Sequence, residues 1–187
     1  MQKVTELSDF EIIDKIVSGE SDSLYSLIIS RYNQTVATTA MNMLGDMEEA
    51  KEIGQQVFIR FYKTLANFKK QASLKTYLTR ITINQCLNLL KRNQTFRNRS
   101  LELENAFSKS SGSIEKEYES KEVVNKALMY LEEKHRTVIV LRMIQGYSTN
   151  ETAKILELPK GTVLSRLKRG MDNLKYVLEH NLNYKHG

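Results

Sequence analysis

Proline is nearly missing from this chain: Pro159 stands alone in 187 residues, beside eight glycines. With so few breakers, long helices are easier to write than many-turned β structure. A single cysteine, Cys86, excludes an intramolecular disulfide and any multi-cysteine zinc site, and points to the cytoplasm. No apolar run approaches the roughly 20 residues of a membrane span, so direct membrane insertion is not expected. The opening stretch MQKVTELSDFEIIDK carries charge where a signal peptide needs an apolar core. Catalytic signatures are missing as well. There is no glycine-rich phosphate loop, no metal-spaced His/Cys set and no nucleophile elbow. His135, His180 and His186 are scattered. No enzyme activity, metal site or cofactor is expected.

What is present is a globular composition, 41% hydrophobic and 27% charged, with a formal charge of +6. The charge is unevenly placed. Residues 53–101 hold ten Lys or Arg and no Asp or Glu, whereas 1–52 hold four basic and ten acidic residues. Residues 102–133 are again acidic, four against eight, and 134–187 are basic, ten against four. Two basic blocks separated by an acidic stretch predict two separate contacts with a polyanion. On charge alone, a membrane surface would serve as well as nucleic acid.

Up to residue 92 the apolar spacing is mainly helical. Ser8-Asp9 predicts a cap for a short helix through Val17, closed by Gly19. Asp22 or Ser21 is expected to cap the next helix, in which Tyr25, Ile28, Ile29, Tyr32, Val36, Ala40 and Met43 recur at helical spacing until Gly45. Asp46 opens a third helix with Ala50, Gly54, Val57, Phe58, Phe61 and Leu65 on its inner face. Its opposite face presents Glu52, Gln55, Gln56, Ile59 and Lys63. Residues 66–73 read as a basic loop, with Ser73 capping a fourth helix that buries Leu74, Leu78, Ile81 and Leu89. Tyr77, Arg80, Asn84, Asn88 and Lys91 then form a polar stripe bearing one aromatic ring.

Residues 93–114 are Ser- and Asn-rich and without apolar period, which predicts a flexible linker. Helical pattern resumes near Glu115 and runs to Leu131. EEKHRTVIVLRMIQG is β-branched enough for a strand, but its length and closing Gly146 favour a buried helix. Next, Ser148 or Thr149 caps a short helix, a joint at Glu157-Leu158-Pro159 follows, and Val163, Leu167, Met171, Leu174 and Leu178 line the last helix. Two helices in tandem, with Ala153 facing Val163, form a helix-turn-helix. Such a unit offers Lys160, Thr162, Leu164, Ser165, Arg166, Lys168 and Arg169 to the major groove.

These residues carry a resemblance. EKHRTVIVLRMIQGYSTNETAKILELPKGTVLSRLKRG is similar to the C-terminal DNA-binding domain of extracytoplasmic-function sigma factors of bacterial RNA polymerase. GDMEEAKEIGQQVFIRFYKTLANF with LKTYLTRITINQCLNLLKR resembles the N-terminal domain of the same family. The resemblance implies an all-α fold of two small helical domains. A sigma region 2 bundle over 1–92 and a region 4 helix-turn-helix domain over 115–187 are joined by the linker at 93–114. It implies a factor that binds core polymerase and directs it to promoters. Glu52, Gln55, Gln56, Ile59 and Lys63 would grip the clamp coiled coil of the largest subunit, with the beta flap as a second polymerase contact. Lys69, Lys70, Lys75, Tyr77, Arg80 and Asn84 would take the minus-ten element. The final helix would read the minus-thirty-five element. An anti-sigma factor, in many family members a membrane protein, is the implied restraining partner.

Some positions depart from the family's usual pattern. Tyr77 takes a common Trp position, Glu132 replaces a Pro, and Leu164 replaces a frequent basic residue. Glu157 replaces the turn Gly of the helix-turn-helix; a left-handed backbone there costs on the order of 1 kcal/mol. The rival reading is a stand-alone helix-turn-helix regulator. It leaves the acid-free block at 53–101 unexplained.

Overall fold

A computed structural model describes residues 7–100 and 116–181, and every regular element within them is helical. The helices are α1 (Asp9–Val17), α2 (Tyr25–Leu44), α3 (Met47–Thr64), α4 (Leu74–Ser100), α5 (Lys116–Met129), α6 (Glu133–Ile139), α7 (Thr149–Leu156) and α8 (Lys160–Tyr176). Most start signals act as the sequence predicts, but the expected cap of α2 by Ser21 or Asp22 is corrected: a 3-10 turn over Asp22–Leu24 leads into α2, and neither start has a side-chain cap. The Ser8 hydroxyl accepts from the Glu11 amide while the Glu11 carboxylate accepts from the Ser8 amide, a full capping box. Asp46 caps α3 through the Glu49 amide. Gly19, Gly45 and Gly146 are left-handed, where a glycine carries no Cβ penalty.

In the N-terminal half, α2 lies against α3 and α4. Its Ile28, Val36, Ala40 and Met43 bury against Val57 and Phe61 of α3 and Leu74, Leu78, Ile83 and Cys86 of α4. Two details differ from the expected stripes. Ile29 is exposed, and α4 buries a second set, Thr79, Thr82, Ile83 and Cys86, because α4 is covered on more than one side. Burial raises the Cys86 thiol to about 12, which keeps it an unreactive packing group. The loop after α3 begins with a short 3-10 turn (Leu65–Asn67) and ends where Ser73 caps α4 through the Thr76 amide.

The stretch that was ambiguous between strand and helix is helical: α6 continues into one π turn over Val140–Ile144. Val138, Ile139, Val140 and Leu141 are buried, so the β-branched run serves a core. The expected linker start at 93 is corrected, because α4 continues to Ser100; residues 101–115 lie outside the described set.

The sequence reading expects the two halves to tumble semi-independently. Instead they pack together, and one apolar core runs from Ile12 through Val57 and Leu128 to Val177. Arg136 of α6 explains part of this. Its guanidinium donates to the carbonyls of Met129 and Leu131 and, 2.6 Å away, of Met43. Those of Met43 and Met129 belong to the last turns of α2 and α5, where carbonyls lack intrahelical partners and the helix dipole is negative. One buried cation thus caps helix ends on both sides of the junction. Local apolar period cannot reveal such a pairing, because its partners lie 93 residues apart.

Candidate nucleic-acid and polymerase interfaces

The helix-turn-helix is assembled as its residues dictate. Ser148 and Glu151 form a capping box on α7, and Ala153, Val138 and Val163 make a small apolar centre between helices. Gly170 fixes the approach of α8 to α6: a Cβ there would lie 3.0 Å from Ile139 Cδ1 and 3.3 Å from His135 Cβ. With Val163, Gly170 and Leu174 turned inward, the opposite side of α8 faces solvent. Lys160, Leu164, Ser165, Lys168 and Arg169 are exposed there, Leu164 to 53%. Thr162 and Arg166 are half-buried beside the apolar stripe. The Ser165 hydroxyl donates back to the Thr162 carbonyl at 3.0 Å. Among the described residues Lys160, Arg166, Lys168 and Arg169 take no ion-pair partner, so four cations remain available to a polyanion.

His135 sits beneath this helix. It is buried, neither ring nitrogen finds a hydrogen-bond partner, and burial holds its pKa below the ordinary histidine value. Glu132 opposes that shift, while Lys134, Arg169 and Arg166 reinforce it.

The stripe on α4 has different surroundings. Arg80, Asn84, Asn88 and Lys91 are exposed, but Tyr77 is half-buried, its ring 4.7 Å from Phe68 and 5.7 Å from Phe61. Lys69 is exposed. Lys70 has a left-handed backbone, pairs with Asp14 at 2.5 Å and lies over the Phe10 ring. Lys75 lies over the Tyr147 ring, 5.5 Å from its centroid, and Arg80 pairs with Glu157. Tyr147 and Glu157 belong to the C-terminal half. Part of the stripe is therefore already engaged from within the chain.

On α3, Glu52, Gln55, Gln56, Ile59 and Lys63 all face outward on one side, with Gln56 donating to Glu52 at 2.9 Å. Ile59 is 56% exposed and has an apolar neighbour the sequence reading passed over. Tyr62, also exposed, packs edge-on to Tyr25 at 5.0 Å. Tyr25, Phe58, Ile59, Tyr62 and Lys63 line a shallow cavity of about 340 Å³. The available signal was its spacing, since position 62 is three residues after Ile59 on the same helix.

Known proteins align with this division. The family profile described as Sigma-70 region 2 matches residues 28–96, and that described as Sigma-70, region 4 matches residues 127–176. The chain belongs to the sigma-70 family. Among its relatives, the RNA polymerase sigma-H factor of Pseudomonas aeruginosa is 26% identical, with 94% of this chain and 96% of that protein covered. The ECF RNA polymerase sigma factor SigW of Bacillus subtilis is 27% identical, with 89% and 94% covered. By fold, the chain is similar to the sigma factor RpoE of Bartonella quintana, solved in complex with the anti-sigma factor NepR. The TM-score is 0.69 at 19% identity, covering 83% of this chain and 97% of that one. This protein is thus an RNA polymerase sigma factor for promoter-specific transcription. The region 2 match covers most of the acid-free block that the stand-alone regulator reading left without a role.

Among the described residues no helix is long and apolar enough to cross a membrane, and no group of His, Cys, Asp and Glu could hold a metal ion.

Proposed function

We propose that this sigma factor binds core polymerase through the outer face of α3, recognises two promoter elements, and acts in the cytoplasm. The carrying observation is the basic face of α8, which is exposed, takes no ion-pair partner among the described residues and suits a major groove. In this reading Arg166 and Ser165 read base edges of the minus-thirty-five element, flanked by Thr162, Leu164 and Arg169, while Lys160 and Lys168 hold phosphates. Lys69, Lys70, Lys75, Tyr77, Arg80 and Asn84 take the minus-ten element, with Tyr77 offering a ring for base stacking. A stacked base contributes about 1–3 kcal/mol, which helps offset the few kcal/mol needed to flip it. Glu52, Gln55, Gln56, Ile59 and Lys63 dock on the clamp coiled coil, joined by Tyr62 on the same helix, and the C-terminal domain meets the beta flap. The likeness to a sigma factor solved with its anti-sigma factor supports an anti-sigma protein as the restraining partner.

The test is in-vitro transcription from a genomic fragment library with core polymerase, with and without the chain. Discrete start sites that need the chain are expected. Initiation that is the same without it would sink the proposal.

A further inference from the structure

We infer that α1 positions the minus-ten surface: Asp14 and Phe10 hold Lys70 in a left-handed conformation and so set the loop that packs Phe68 on Tyr77. This role rests on the proposed minus-ten assignments of Lys69, Lys70 and Tyr77. It brings in a helix to which those assignments give no part, since α1 lies ahead of the residues that the region 2 profile matches, 28–96.

The helix is itself firmly seated. Ile12, Ile13 and Ile16 bury one face of α1 in the core. Asp9 accepts from Arg31 at 3.0 Å and from the Tyr32 hydroxyl, both on α2. On the outer face Phe10 and Asp14 are exposed, and their spacing of four puts them one above the other on the same side of the helix. Lys70 lies across both. Its ammonium is 2.5 Å from the Asp14 carboxylate and 5.7 Å from the centre of the Phe10 ring. Phe10 also tilts against Phe68 at 6.3 Å, and Phe68 lies 4.7 Å from Tyr77. Contact therefore runs from α1 through the loop to the ring of the α4 stripe.

The backbone shows why a brace is needed. Among the described residues other than glycine, only Lys70 and Glu157 have positive φ, and Lys70 stands at φ 53. That conformation disfavours a residue with a Cβ by about fivefold or more, and such outliers gather at binding sites. An exposed ion pair offsets up to about fivefold of this, and an exposed cation–π contact about two- to fivefold. Together the two contacts balance the backbone penalty, and neither does so with any margin alone. Without them residue 70 spends part of its time outside the left-handed region, and the loop carries Phe68 away from Tyr77. Apparent affinity for a strand that needs this geometry then falls with the competent fraction. A strand held by phosphates alone is spared. Mere release of the Lys70 ammonium has the opposite signature, a gain on every sequence and a single-strand salt slope steeper by about 0.7.

The test uses the full chain with core polymerase and single-stranded DNA. Selection from a randomised pool gives the strand that the wild-type holoenzyme prefers, and its preference over a shuffled strand is then measured for each variant. Asp14→Ala should lower that preference by about two- to fivefold. Asp14→Glu, which keeps the carboxylate, should retain most of it. In a Lys70→Gly chain the left-handed backbone needs no brace, so adding Asp14→Ala should change the preference no further. A preference untouched by Asp14→Ala, a uniform gain on both strands, or the same loss in the Lys70→Gly chain overturns the positioning role. Amide exchange gives a second measure without DNA: amides 68–72 should exchange faster in free Asp14→Ala than in free wild type, and equal rates overturn the role as well. A wild-type holoenzyme that prefers no strand sinks the minus-ten assignments instead, and the exchange comparison then decides whether α1 sets the loop.

Discussion

The basic face of α8 and the basic stripe of α4 carry the same kind of side chains in opposite circumstances. On α8, Lys160, Lys168 and Arg169 stand in solvent without a counter-ion among the described residues. On α4 and the loop before it, Lys70, Lys75 and Arg80 are held by Asp14, the Tyr147 ring and Glu157. Counting Lys and Arg in the sequence makes the two blocks equivalent. Only the folded chain distinguishes a basic surface without counter-ions among the described residues from one already engaged by groups of the same chain. Charge marks the surfaces that suit a polyanion, and intramolecular partners set how exposed those charges are.

The largest perturbation should come from the junction that sets this difference. Arg136 is buried and donates to three carbonyls. Arg136→Ala leaves those carbonyls without their charged donor and opens a cavity. A loss of roughly 3 kcal/mol is expected, on the order of 10 °C in Tm for a chain of this size. Calorimetry of the full chain checks it. A single cooperative transition in the wild type that splits in two for Arg136→Ala would show the halves uncoupled. A Tm within about 2 °C of wild type would mean the junction contributes little.

Next in size is the contrast within α8. Arg166 is half-buried and Lys168 exposed, and in the proposed reading the first reads a base while the second holds a phosphate. Arg166→Ala should lose about 1–3 kcal/mol of discrimination at one defined base pair. Lys168→Ala should weaken all sequences alike and lower the salt slope by about one. Selection from randomised minus-thirty-five duplexes separates these outcomes. Unchanged base preference in Arg166→Ala would make that residue a phosphate clamp and leave Ser165 and Leu164 as the readers.

Much of this architecture was legible in the sequence, for a physical reason. The inner face of α3 is written as Ala50, Gly54, Val57, Phe58, Phe61 and Leu65; Gly54 is only half-buried and Ile53, which the stripe omits, is buried, while the other five are buried where the period puts them. Ser8, Asp46 and Ser148 act as caps because capping is local chemistry, settled within four residues. What was not legible joins distant positions. Thr79 and Tyr147 are 68 residues apart, and neither stands out in its own helical period. Tyr77 shows the same limit. Its stripe is polar, yet its ring packs on Phe68 from the loop, which no periodicity assigns to that face. The left-handed state of Glu157 was a conditional expectation from the family's turn Gly, and the backbone has it at φ 54.

Acid should destabilise the fold through His135. His135 lies under α8, buried, with its pKa below the ordinary value chiefly through burial. The folded chain therefore prefers the neutral ring, and the unfolded chain binds the proton more readily. Stability is full above about pH 6.5 and falls as pH drops below it. Thermal unfolding followed from pH 7.5 to 5.5 should show the decline, and His135→Leu should flatten its slope. An identical slope in the variant would exclude His135 as the cause.

The smallest effect on stability, and the sharpest test of the comparison, comes from exchanging one left-handed cap for the type used at the other. Gly45 and Glu157 end α2 and α7 in the same conformation, at φ 73 and φ 54. At position 45 glycine is required twice over, by the backbone and by Met129. At position 157 it is absent. Glu157→Gly relieves strain of about 1 kcal/mol. It also frees the unfolded chain by about 0.4–1 kcal/mol and deletes an exposed ion pair that contributes little. These terms nearly cancel, so the stability change should stay within about 0.5 kcal/mol, or 1–2 °C in Tm. Glu157→Gln deletes the same pair but keeps the strain, so its Tm should lie at or below that of Glu157→Gly. Both variants should free Arg80 equally. If they match each other in minus-ten strand affinity and exceed wild type, the carboxylate distinguishes the occupied surface from the free one. If only the Gly variant gains, the joint's backbone does, and Glu157 pairs with Arg80 without restraining it.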